Sequence, residues 1–196
     1  MSEQARPWRQ LLKGAAGFAI GLVVWLTLTP AYNRALAFSA RGLLAIIQRE
    51  PAPEFRQKGR EVLVIRPDVA ARSSRPGIPL YDLTFNIVLL TTLFAVNKRS
   101  FGDSNVKGFL IALAVLFLTH VLALTIWTRQ LYVSWFGELS ANDYGDMSRL
   151  LWTRAVLFYR IVAQFAIPVL LWWLLSRERP SAPAVSPRKL PRAAKR

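Results

Sequence analysis

The sequence predicts an all-α membrane protein: four transmembrane helices, an interfacial amphipathic helix after the first, and a disordered basic C-terminal tail. Three observations lead there. Uncharged runs of 20 residues (Gly14–Asn33) and 21 residues (Gly108–Thr128) pass the roughly 18-residue length that marks a spanning helix. Two further apolar runs, 78–97 and 152–175, carry few charges and are near spanning length. The longest segment between spans, 31–77, is too short to close a sizeable soluble core.

Residues 1–13 form a polar N-terminus with Arg6, Arg9 and Lys13. The first span, 14–30, reads GAAGFAIGLVVWLTLTP and closes on Pro30. Its basic start and the triplet Ala35-Leu36-Ala37 look like a secretory signal, but the apolar stretch exceeds the ~7–15 residues usual for one. An uncleaved first span is the favoured reading. Within it Gly14, Gly17 and Gly21 are helix-packing residues, where the missing side chains let another helix approach. The bundle itself is the favoured neighbour over a partner's helix.

The loop 31–77 is expected to hold an amphipathic helix over Tyr32–Arg49 and a short strand at Val62–Ile65, bounded by Gly59 and Pro67. The second span, 78–97, starts at Ile78-Pro79, where Pro suits a first helical turn. A polar hairpin, 98–107, leads to the third span, 108–128. An acidic loop, 129–151, precedes the fourth, 152–175, which ends near the aromatic pair Trp172-Trp173. The tail, 176–196, holds four prolines and seven Lys/Arg and reads as disordered.

Four spans place both termini on one side, and basic residues indicate which. The N-terminus, hairpin and tail carry 13 Lys/Arg. The other side carries eight, counting Arg154, once Arg49, Arg56, Lys58 and Arg60 are set aside as distant from the spans. Both termini are therefore expected in the cytoplasm.

The net charge of +15 bears on partners. In a membrane protein it points first to lipid headgroups, and the tail residues Arg188, Lys189, Arg192, Lys195 and Arg196 are the expected headgroup contacts. Nucleic acid is the lesser alternative, because the tail lacks aromatic residues on which bases stack. With no cysteine, thiolate metal sites, iron–sulfur clusters and cysteine nucleophiles are excluded, and a single histidine, His120, excludes a multi-histidine metal site within one chain. No metal, cofactor or catalytic residue is expected; HExxH, P-loop and GxSxG patterns are absent.

Chemistry, if any, belongs to polar residues inside the spans, each of which is costly to bury in lipid. Asp82, Asn86, His120, Arg160 and Gln164 form the expected intramembrane polar cluster, the last four at about 10–18 Å from one interface and Asp82 nearer to it. Asp82 with Asn86, and Arg160 with Gln164, are spaced i,i+4 and so share a helix face. Pro168 leaves the Gln164 carbonyl without its helical donor. Mutual satisfaction that fixes helix register is the favoured reading. An outward-opening pocket centred on Arg160 is the functional one. Either way, Arg160 is expected to face the bundle, with Asp82 or Asn86 as its partner.

Residues 80–175, especially YDLTFNIVLLTTLFA, KGFLIALAVLFLTHVLAL and FAIPVLLWWLL, resemble the exosortase H-associated membrane protein family. The resemblance rests on composition and order and covers about half the chain. It implies a non-enzymatic accessory of the bacterial inner membrane, partnered by a membrane transpeptidase that sorts exported proteins. The exosortase itself is excluded, since that enzyme is expected to use a cysteine and the chain has none. The other class of function is a small transporter or lipid-interacting protein that uses the polar cluster.

Overall fold

A computed structural model describes residues 5–47, 52–66, 76–97, 103–136 and 144–176. Helix α1 covers Ala5–Ile47, strands β1, β2 and β3 cover Glu54–Lys58, Glu61–Ile65 and Gly77–Pro79, and helices α2 and α3 cover Leu80–Thr84 and Asn86–Ala95. Helix α4 covers Asp103–Ser134. The last helical arm runs Asp146–Leu175 as α5 (Asp146–Phe158), a π turn (Tyr159–Ala163) and α6 (Gln164–Leu175). Among the described residues, three helices are long and apolar enough to cross a membrane: α1, α4 and the last arm. The second expected span, 78–97, is instead the shorter apolar helix Leu80–Ala95, turned at Phe85.

Helix α1 corrects the expectation that Pro30 ends the first span. It continues for 43 residues, about 65 Å, through the region assigned to a separate interfacial helix. The reason lies in one buried stripe. Gly17, Gly21, Trp25, Thr29, Asn33, Leu36, Ala40 and Leu44 recur every three or four residues and are the buried positions of α1. Pro30 sits off the stripe on the exposed side, so helical packing continues in phase on both sides of it. The lost donor to the Leu26 carbonyl is tolerable in a helix held by neighbours.

The first half of the stripe packs on α3. Lys13 reaches the Asn97 carbonyl, Gly17 faces Ala95 and Thr92, Gly21 faces Thr91, and Trp25 meets Thr84. The two helices therefore run antiparallel. Helix α4 returns beside α3, with Asn105 at Asn97, Phe109 at Phe94 and His120 at Asn86. Helix α6 ends beside the start of α4, where Leu175 meets Gly108, and Trp172 meets Asn97. Both the start of α1 and the end of α6 thus lie at the Asn97 end of the bundle.

At the opposite end the second half of α1 and the last turns of α4 carry a small antiparallel sheet, ordered β1-β2-β3. The turn at Gly59-Arg60 joins Lys58 to Glu61; Gly59 has φ 60°, so the first turn position suits glycine, as in a type II′ hairpin. Val62, Val64 and Ile78 project from one face into a core with Leu36, Ala40, Leu131, Tyr132 and Phe136. Strand β2 includes the short strand expected at Val62–Ile65, and pairs on both sides. The expected helix start at Ile78-Pro79 is corrected. Gly77–Pro79 is β3, and Pro79 is the extended residue before α2. Residues 177–196 lie outside the described residues, so the expected disorder and headgroup contacts of the tail do too.

Candidate functional site

Three helices and the last arm each bring a polar group to one level of the bundle. His120 of α4 is fully buried and central. Its Nε2 lies 2.8 Å from Asn86 Oδ1, an atom that can only accept, so Nε2 carries the proton. Its Nδ1 is then the acceptor for the Tyr32 hydroxyl of α1, at 2.6 Å. The Asn86 amide in turn donates from Nδ2 to the Gln164 carbonyl, at 3.3 Å. Reversing that amide would set two carbonyl oxygens against each other, so the direction of the chain is determined. It runs from Tyr32 O–H to His120, from His120 N–H to Asn86, and from Asn86 N–H to the Gln164 main chain.

The terminal acceptor is the carbonyl that Pro168 deprives of a donor, since residue 168 has no N–H to return to 164. The freed carbonyl is answered from another helix. Gln164 also donates from its side chain to the Asp82 carbonyl, which ties α6 to α2. Beside the relay lies Tyr159, whose ring is buried and whose hydroxyl approaches the Asn86 and Thr119 side chains without reaching hydrogen-bond geometry.

Of the five residues expected to cluster, the structure joins Asn86, His120 and Gln164. Asp82 contributes its main-chain carbonyl only, and its side chain is exposed. Arg160 is placed otherwise than expected. It is exposed, and its guanidinium lies over the Trp127 ring at 5.4 Å. The π turn is the cause. A π turn advances i to i+5, so Tyr159 and Gln164 align, with the Gln164 N–H bonded to the Tyr159 carbonyl. The i,i+4 spacing of Arg160 and Gln164 therefore no longer implies a shared face, and Tyr159 occupies the inward position.

Sequence reasoning missed Tyr32, because ending the first span at Pro30 moved it out of the membrane. It also missed a second polar layer at the Asn97 end. There Asn97 donates to Asn105, Trp172 donates from Nε1 to Asn97 Oδ1 at 3.0 Å, and Lys13 donates to the Asn97 carbonyl at 3.4 Å. The expected packing glycines have an identified neighbour. A Cβ on Gly17 would collide with the Ala95 methyl, one on Gly21 would stand 3.0 Å from Thr91 Cβ, and one on Gly14 would stand 3.5 Å from Val96. Their partner is α3 of the same chain.

Comparison with known proteins finds no match, whether against family models, curated proteins or solved structures.

Proposed function

We propose that this chain is a non-catalytic accessory or scaffold protein of a membrane, a helical anchor that holds a small sheet at one surface. One observation carries the reading. Polar groups at one level of the bundle form a single hydrogen-bonded chain across three helices and the last arm, from Tyr32 through His120 and Asn86 to the Gln164 carbonyl. Such an arrangement fixes the register of neighbouring helices, which is what a rigid platform needs. A transport site would instead hold such groups ready for an outside ligand.

A bacterial inner membrane with cytoplasmic termini is the location we propose, on the distribution of Lys and Arg about the spans. Leu80–Ala95 is then the second of four crossings, short enough that the bilayer thins or the flanking residues reach outward. A sorting transpeptidase of the exosortase kind is the partner implied by the resemblance of residues 80–175, which is its sole support.

Two measurements on the full chain decide between the classes. Mild crosslinking in cells followed by purification should return a stoichiometric membrane-protein partner, retained by Asn86→Leu if the relay serves stability alone. Proteoliposomes loaded with a pH-sensitive dye should show no proton or solute flux above empty vesicles. A flux abolished by His120→Phe would overturn the accessory reading in favour of transport.

A further inference from the structure

A cleft of about 400 Å³ opens between the second half of α1 and strand β1. Asn33, Arg34, Phe38 and Arg41 line it from α1, and Phe55 and Arg56 from β1. The lining includes three arginines and no carboxylate among the described residues. All three arginines are exposed, and Arg34 and Arg41 stand two helical turns apart.

The depth of the cleft follows from helix geometry. Lys13 marks the Asn97 end of the bundle through its bond to the Asn97 carbonyl. Asn33 lies 20 residues further along α1, about 30 Å, which is the thickness of the hydrocarbon core. The mouth of the cleft therefore lies at headgroup level on the sheet side. Phe38, at 81% exposure, stands between the two α1 arginines, where an apolar ring meets acyl chains.

We infer that this cleft binds the headgroup of an anionic phospholipid, with Arg34, Arg41 and Arg56 on the phosphodiester. Guanidinium forks match phosphate oxygens in pairs, and a glycerol headgroup carries that anion without a cation of its own to oppose the three arginines. Phosphatidylglycerol is the lipid of that chemistry. The site is separate from the relay and does not depend on the accessory reading.

The test is native mass spectrometry of the detergent-purified full chain, titrated with phosphatidylglycerol, with phosphatidylcholine, or with glycerol 3-phosphate. Wild type should retain one phosphatidylglycerol saturably and in preference to phosphatidylcholine. Arg34→Gln with Arg56→Gln should weaken that binding about 25-fold, taking about fivefold per basic residue at the surface. Arg149→Gln with Arg154→Gln removes the same charge from α5, away from the cleft, and should leave the binding within twofold. Equal losses in the two double variants would reduce the effect to general surface charge and overturn the site. Glycerol 3-phosphate binding as tightly as the lipid would overturn the lipid as its occupant. Unfolding curves without lipid show whether each variant is folded, and an unfolded Arg34/Arg56 pair is replaced by Arg41→Gln alone, for which a loss of about fivefold is expected and no loss refutes the site.

Discussion

Asn86 donates its side-chain N–H to the carbonyl of Gln164, the carbonyl that Pro168 leaves without a helical donor. A break in the hydrogen bonding of the last arm is thus repaired by α3. In lipid, no water competes for the open carbonyl, so the repair both satisfies it and binds the two helices. The same amide accepts from His120, which joins the repair to α4 and, through Tyr32, to α1.

The first prediction follows from that repair. Asn86→Ala should destabilise the detergent-solubilised protein by about 2 kcal/mol, since it frees both the Gln164 carbonyl and the His120 N–H. Pro168→Ala restores a main-chain N–H opposite Gln164. In that background the cost of Asn86→Ala should fall by about 0.5–1 kcal/mol. Reversible unfolding of the four proteins in a double-mutant cycle measures the coupling, and additive losses would show that the two residues act independently.

Two tyrosines of the same layer should respond unequally. Tyr32→Phe removes the donor to His120 Nδ1 and leaves a buried acceptor open, at about 1–2 kcal/mol. Tyr159→Phe deletes a hydroxyl that only approaches Asn86 and Thr119, outside hydrogen-bond geometry, so its effect should stay within about 1 kcal/mol of wild type. Thermal unfolding of the two variants side by side gives the comparison. A Tyr159→Phe loss as large as that of Tyr32→Phe would mean that the hydroxyl has a partner.

Along α1 the glycines should rank by their clearance from α3. Gly17→Ala meets the Ala95 methyl and should cost about 1–3 kcal/mol, as overpacking does. Gly21→Ala should cost less, because the Thr91 side chain can turn aside, and Gly14→Ala should cost nothing measurable. The order of unfolding midpoints tests it. An equal response at all three positions would place α1 against something other than α3.

For Arg160 the structure predicts a small effect. Its guanidinium is exposed and stacked on Trp127, so Arg160→Leu removes a cation–π contact and no buried ion pair. The change in stability should stay within about 1 kcal/mol of wild type. A loss of about 3 kcal/mol or more in detergent would instead indicate a buried partner.

The positions of the long apolar helices were legible in the sequence, because an uncharged run of 20 residues has few homes other than a bilayer. The end of α1 was not. Proline breaks a helix where no neighbour compensates, and only the packed stripe from Gly17 to Leu44 shows that neighbours hold both sides of Pro30. Part of the polar layer was legible for the same reason of cost: Asn86, His120 and Gln164 are expensive in lipid wherever they point, so their common depth could be expected, whereas the pairing expected was of Arg160 with Asp82 or Asn86.

By itself, then, the sequence determined that apolar helices cross a membrane, that glycines line one of them, and that Pro168 opens the Gln164 carbonyl. These follow from composition and local covalent geometry. Only the tertiary structure decided which groups meet. The π turn at Tyr159–Ala163 shifts the phase of the last arm by one residue, turning Tyr159 inward and Arg160 outward. Which residue faces the bundle depends on that local phase, and the phase is set by what α3 and α4 present to it.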